Sequence, residues 1–481
     1  MRTSFIFILI LTSILKCFAQ TSEEFVDLGL SKIKNNDYKG AITDYNKAIL
    51  INSENGEAYF VRGNAKEHLE DYNGALADYN LAIKFDPNGI AQHFLRGGLK
   101  EKLNDYIGAI EDYSIAISGR KEPHDTKENT FWAILYLQRG IVKLKLEDHR
   151  GAISDFSTVI EIDSNNSGAY YNRGLSKSII QDFQGAISDF SKNIDIEPNS
   201  AQTYYLRGLS KYNLQDYNGA IVDYSKTIEI DPKNVQAYID RGNVKTELND
   251  FKSAILDYGI VIEIEPLNAE IYFKRGVLKF KIQDFQGAIA DYTMAIKIDK
   301  KNATAYFYRG ISKRNLKDNI GAITDYTKAI ELAPKDAQIY YYRGLSRSIL
   351  NNSIGAIADY SQAIEIDPND SQFYLNRGLA KRKLQDFRGA IADFNEAILI
   401  SPQCADAYFN RGNVKGEHDL QGAIDDYNKA IEINPKFAIV YHFRGLAKLT
   451  LNQKDSGCLD LSKAGELGIA EAYDDIKEYC Q

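Results

Sequence analysis

The chain has 481 residues, 44% of them hydrophobic and 26% charged, enough apolar material for a large buried core. Its 58 basic residues are outnumbered by 66 acidic ones, for a net charge of −8. That balance argues against nucleic acid as the main partner, because phosphate binding needs an excess of Lys and Arg.

The first twenty residues differ in kind from the rest. Arg2 makes a short basic start, residues 5–15 are apolar except for Thr12 and Ser13, and Cys17-Phe18-Ala19 offers small residues where a signal peptidase reads. The pattern reads as a signal peptide over residues 1–19, cut after Ala19, leaving residues 20–481 secreted or periplasmic. The apolar run is shorter than the roughly 20 residues a bilayer crossing needs. A buried first helix, an uncleaved anchor and a lipidated Cys17 are the other readings, although Lys16 stands where lipidation wants a small residue. No later run approaches membrane length. Cleavage leaves Cys404, Cys458 and Cys480, whose spacing matches no zinc motif. An oxidising compartment would permit one bridge among them.

From there to the end one period governs the chain. Arg-Gly recurs at Arg62, Arg96, Arg139, Arg173, Arg207, Arg241, Arg275, Arg309, Arg343, Arg377, Arg411 and Arg444, at spacings of 34, 43, then 34 eight times, then 33. Leu28-Gly29 fits one step earlier, which makes thirteen repeats. A fixed period of this length is the mark of a repeat architecture. Each repeat reads as two helices. In residues 201–234, Tyr204, Tyr205, Gly208 and Leu209 recur at helical spacing, and Leu214-Gln215-Asp216-Tyr217 breaks the helix. Asp216 is a suitable N-cap for a second helix carrying Ala220, Ile221, Tyr224, Thr227 and Ile228 on one stripe. Asp231-Pro232 ends it. Eight of the nine prolines stand in this terminating column, and the ninth, Pro123, lies in the one insertion.

The column of Tyr204, Gly208, Ala220, Tyr224 and Pro232 resembles the tetratricopeptide repeat, and the match runs over about residues 22–470. The resemblance implies an all-α, right-handed superhelical solenoid of about 13 helix-turn-helix units, with first helices lining a concave groove and a capping helix at about 469–480. This sequence departs from the family where Leu normally precedes the Gly and Tyr follows it by three. Here Arg precedes the Gly in twelve repeats, and Lys or Arg follows in all thirteen, as at Arg207 and Lys211. About fifteen residues after each Gly stands an Asp on the second helix. We expect each Arg to pair with an Asp of its own or an adjacent repeat, as Arg207 with Asp223, Arg241 with Asp257 and Arg275 with Asp291. The alternative is that these charges are merely solvated.

Two places break the period. The spacing of 43 adds nine residues at about 118–132, a polar stretch around Pro123 that reads as a solvated loop, or else as a flap over a ligand. At the other end Gly465 and Gly468 stop the last repeat, and one more helix follows as a cap. Cys458 and Cys480 fall on these last two helices at a similar level. Secreted tetratricopeptide proteins of the Bacteroidetes phylum often end in a similar Cys-bearing segment. A disulfide between the two and a pair of independent buried thiols are both open.

No catalytic constellation stands out. The six histidines are scattered, and no HExxH, phosphate loop or nucleophile elbow occurs, so neither enzyme activity, a cofactor nor a metal is expected. Function then falls to the groove. By the resemblance, the residue three before each Gly faces it: Phe60, Phe94, Tyr171, Tyr205, Phe273, Phe307, Tyr341 and Phe409 among others. The residue after the Gly adds Asn64, Asn243 and Asn413. Such a wall suits a partner's helix or extended segment, with aromatic anchors. A protein-binding scaffold is the leading reading, and carriage of an apolar or carbohydrate ligand is the alternative. The family's acidic-tail clamp needs Lys where this chain has Phe60 and Phe94.

Overall fold

A computed structural model describes residues 21–119 and 126–480. The expected signal peptide, and the centre of the expected insertion loop, lie outside them. The described residues hold 27 helices and no strand, arranged as thirteen antiparallel pairs and one final helix. No helix among them is long and apolar enough to cross a membrane. The chain divides into two compact halves, residues 1–244 and 245–481.

One pair from the first half shows how the sequence makes the element. Ser200 caps the first helix, Ala201–Asn213, by accepting the Thr203 amide at 3.3 Å. After the C-cap Leu214, Gln215 turns left-handed at φ 62°, and the Asp216 amide closes back on the Lys211 carbonyl at 2.9 Å. The turn is therefore short and fixed. Asp216 then caps the second helix, Tyr217–Ile230, its Oδ1 accepting the Gly219 amide at 2.9 Å. A Cβ on Gly219 would collide with the same capping carboxylate, which explains an Asp-x-x-Gly column that the sequence shows plainly. In the repeat headed by Asp250 a Ser253 takes that place, and there the cap stretches to 3.3 Å.

The two helices of the pair meet at Gly208. A Cβ there would lie 2.9 Å from the Tyr224 ring, so only glycine lets the helices close on that ring. Tyr224 and Ala220 are fully buried in consequence. The same geometry recurs in the second half, where Gly310 faces Tyr326 and Gly378 faces Phe394. Hydrophobic clusters are local: Ala220, Tyr224 and Val244 form one, and Leu375, Ala390, Phe394, Ala397, Ala407 and Val414 another. Each helical pair thus leans on its sequence neighbours, as expected of a repeat array. Within each half the first helices of successive pairs also touch, so they form a wall.

The insertion is smaller than the sequence indicates. The fourth first helix runs over Thr126–Lys145, 20 residues, so the segment 126–132 expected as loop is helical. The cause is apolar. Trp132 and Leu135 are buried against Ala109, Tyr113 and Ala116, and Phe131 meets Phe94 edge-on at 5.6 Å. A helix presenting these rings gains more by packing than a solvated loop could.

At the C-terminus, Lys454–Glu466 ends before Gly468, which takes φ 106°, and Glu471–Tyr479 follows. Ala472 closes a small core with Leu461 and Ala464, and a Cys458–Cys480 disulfide ties the two helices at a Cα separation of 5.8 Å.

Two outcomes follow. Gly208→Ala should lower stability by about 1–3 kcal/mol in urea unfolding. Gly98→Ala, whose Cβ would meet only the Tyr113 hydroxyl at 3.7 Å, should be close to neutral. Equal losses would contradict this packing. Alkylation without reductant should label Cys404 and spare Cys458 and Cys480; label on all three would refute the bridge.

Candidate functional site

The first helices carry the features that give each half its surface. In the repeat of Gly208, Arg207 donates to Asp223 through Nε at 2.9 Å and Nη2 at 2.7 Å. Lys211 lies 2.7 Å from the other side of the same carboxylate. The third guanidinium nitrogen, Nη1, reaches back to Ser191 on the preceding second helix at 3.0 Å, and the guanidinium sits 5.4 Å over the Tyr204 ring. Asp223 is only 1% exposed. Arg275 and Asp291 repeat the fork at 2.9 and 2.6 Å, with Lys279 at 2.8 Å, although Gly259 stands where Ser191 receives the third nitrogen of Arg207. Its hydrogen bond to Asp291 holds the Arg275 guanidinium above its ordinary range. Arg241 lies over Tyr238 and donates to Ser225 at 2.9 Å, while Asp257 accepts from Lys245 at 2.7 Å. In the first repeat Leu28 replaces the Arg, and Asp44 is met by Lys32 and Lys47 instead.

Such a carboxylate has given up water, and three or more charge-assisted hydrogen bonds replace it. Asp112 shows the competition. Burial pushes its carboxyl up, but hydrogen bonds from Arg96, His93 and Lys100 prevail and hold it below the ordinary 3.8. These side chains tie one helix to the next.

The expected wall aromatics are half-buried, each tilted against the buried ring of its own second helix. Phe60 meets Tyr79, Phe94 Tyr113, Tyr171 Phe190 and Tyr205 Tyr224 at 5.8–6.4 Å between centroids. Phe273, Phe307, Tyr341 and Phe409 do the same at 5.7–6.2 Å. Part of every ring is therefore committed to packing, and only the remainder faces outward. The asparagines after the Gly are also engaged. Asn413 accepts the Tyr427 hydroxyl at 2.8 Å, Asn64 lies beside that of Tyr79, and Asn243 lines a cavity of about 80 Å³ with Tyr212, Tyr224 and Asp240. Tyr205 gives its hydroxyl to Asp240 at 2.8 Å, and burial pushes its phenol up. His442, at the same position in the last repeat, is held by Asp475 of the final helix at 2.5 Å.

Sequence reasoning missed a cleft on the wall of the first half that has a defined floor and rim. Gly98 follows the column glycine, where most repeats carry a side chain, and the space it leaves is a cleft of about 400 Å³. Phe94, Leu95 and Tyr113 line it. Two cross-repeat ion pairs border it: Lys102 with Glu67 at 2.5 Å and Lys145 with Glu101 at 2.8 Å. Tyr79 and Tyr113 donate to the second oxygens of those carboxylates at 3.0 and 3.3 Å. The Gly97-Gly98 doublet was the signal available in the sequence. Among the described residues no group of His, Cys, Asp and Glu is arranged to hold a metal.

Models of the tetratricopeptide repeat match residues 26–90, 201–234, 239–303, 303–336 and 375–436, and a TPR repeat model matches 354–385. No curated protein matches the chain significantly. Among solved structures it is similar to a tetratricopeptide repeat protein from Parabacteroides merdae, at 23% identity over 51% of this chain and 96% of that one, with a TM-score of 0.40. The C-terminal part of a TPR repeat-containing protein from Cytophaga hutchinsonii is 15% identical over 50% and 98%, with a TM-score of 0.45. Yeast Tom70 is 18% identical over 90% and 96%, with a TM-score of 0.34.

Asp223→Ala should cost about 3–5 kcal/mol in urea unfolding, because it strands a buried guanidinium; a loss below about 0.5 would place the pair at the surface. Because the folded value of Asp112 is depressed, the stability it contributes is present above about pH 4 and lost as pH falls through the folded value. Thermal midpoints should therefore drop as pH is taken below 4, and midpoints that stay level down to pH 2 would contradict the assignment.

Proposed function

The chain belongs to the tetratricopeptide-repeat family, and from that premise we propose that it docks a helix or extended segment of a partner protein on its first-helix wall. Repeats of this kind make protein–protein interaction scaffolds, and the finer reading of where the partner sits rests on the Gly98 cleft. Its apolar floor of Phe94, Leu95 and Tyr113 can take an anchoring side chain. The ion-paired rim around it excludes water from that anchor without presenting an unbalanced charge. The half-exposed edges of Tyr171 and Tyr205, within the same half, extend the apolar surface. The role is non-catalytic: the polar groups of the wall hold helices and one another.

The reading places the protein outside the cytoplasm, in the cell envelope or secreted. The signal-like segment of residues 1–19 supports this, and a disulfide at Cys458–Cys480 fits an oxidising compartment. Mass measurement of the exported chain should find Gln20 at its N-terminus.

Affinity capture from an envelope extract tests the docking site. Gly98→Leu fills the cleft where a Cβ has room, so the folded variant should lose the protein band that the unaltered chain retains. An unchanged band would remove the cleft from the interface. Retained glycan binding with no band would shift the reading to a carbohydrate carrier.

A further inference from the structure

Two residues before the column glycine the side chain changes from repeat to repeat, and it is Asp only at Asp27 and Asp240. Asp27 is exposed, whereas Asp240 is half-buried among tyrosines. Its Oδ2 accepts the Tyr205 hydroxyl at 2.8 Å, and its Oδ1 accepts the Gln236 side-chain amide at 3.1 Å. Both oxygens are thus held in place by neutral donors, and no Lys or Arg among the described residues pairs with them. The carboxylates of the second helices are balanced instead, as Asp223 is by Arg207 and Lys211. Lys274, which takes the position of Asp240 in the next repeat, is held by Glu270 at 2.8 Å.

Asp240 lines the cavity of about 80 Å³ together with Leu209, Tyr212, Tyr224 and Asn243. Tyrosine stands four residues after the column glycine only at Tyr212, so this ring and this carboxylate come together at one step of the array. Tyr205 leans on Tyr224 at 5.8 Å and Tyr212 on Tyr217 at 5.7 Å, which fixes the walls. A carboxylate accepts about four hydrogen bonds, and two are taken here. An ammonium brings three donors and the balancing charge, and aromatic rings attract it. It is close to water in size, whose share of liquid volume is about 30 Å³, so the cavity admits it with its adjoining methylene. An anion would meet like charge.

We infer that Asp240, with Tyr205, Tyr212 and Tyr224 about the cavity, is a pocket for the ammonium of a lysine side chain on the docked partner segment. This rests on the wall docking proposed above, lies in the same half as the Gly98 cleft, and adds the charge the partner must bring. That charge is opposite in sign to the acidic tail of the family's clamp. Rings in place of water around the carboxylate strengthen the ion pair.

The test uses the full chain and short peptides blocked at both ends: one with a single Lys, its norleucine counterpart and its Arg counterpart. Tyrosine difference spectra at low ionic strength follow the titrations. The Lys peptide should bind saturably, and the norleucine peptide about tenfold more weakly or worse. Asp240→Asn should weaken the Lys peptide by a similar factor. Asn holds the same position at Asn172, Asn376 and Asn410, so the variant should fold, and circular dichroism checks it. Tyr212→Leu, matching Leu144 and Leu449, should lose about threefold. Equal affinity of the Lys and norleucine peptides, an unaffected Asp240→Asn variant, tighter binding of the Arg peptide, or no saturable binding of the Lys peptide would overturn the assignment. Each of those results leaves the Gly98 docking reading standing, because that is tested separately by Gly98→Leu.

Discussion

The arginine before each column glycine is the interaction on which the array depends. A single guanidinium forks onto the Asp of its own second helix, sends its third nitrogen to the second helix of the pair before, and lies over a tyrosine one turn back on its own helix. For Arg207 those partners are Asp223, Ser191 and Tyr204. Arg62, Arg96 and Arg411 reach Asn46, Asn80 and Asn395 in the same way, so an amide substitutes for the hydroxyl. One side chain thus fixes both the spacing within a pair and the seat of that pair on its neighbour. Lysine could supply the charge but not three directed nitrogens in one plane. Where the resemblance leads one to expect an apolar residue, this chain adds a directed polar contact; the exceptions are the first repeat, where Leu28 stands, and the seat of the Arg275 repeat, where the preceding second helix offers only Gly259.

The consequence for function lies in what the rung leaves free. With charges satisfied between helices, the wall presents the outer edges of rings whose inner edges lie tilted against the second-helix aromatics. Variation along the wall then comes from single positions. Glycine at 98 opens a cleft, Asp240 quenches the Tyr205 hydroxyl, and Arg314 lies over the Tyr342 ring. Binding chemistry differs from repeat to repeat while the frame stays constant, which is how a repetitive scaffold acquires a specific partner.

The frame was legible in the sequence because it is written thirteen times. Gly208, Ala220, Tyr224 and Asp216 announce a helix pair through spacing, and the Arg-to-Asp relation could be read from columns without coordinates. What escaped were contacts that depend on direction. The left-handed Gln215 and the carboxylate that forbids a side chain on Gly219 are consequences of turn geometry, which the period shows only as unexplained constancy. Trp132 was placed in a loop because its neighbours are polar, whereas its burial against Tyr113 decides the helix. The aromatic wall was read as a face turned to the groove, and sequence spacing gives such a face but not the depth to which a ring sinks into it. Single-repeat features such as Gly98 and Arg314 are invisible to any argument from period, since they are the departures from it.

A double-mutant cycle on Arg207 and Asp223 tests the central claim most directly. Replacing both by apolar residues of similar size removes the charges together, and the account predicts a double variant more stable than either single one, with a coupling of about 1.5 kcal/mol or more. Penalties that simply add would mean the two side chains do not hold each other, and the frame would have to rest on packing alone.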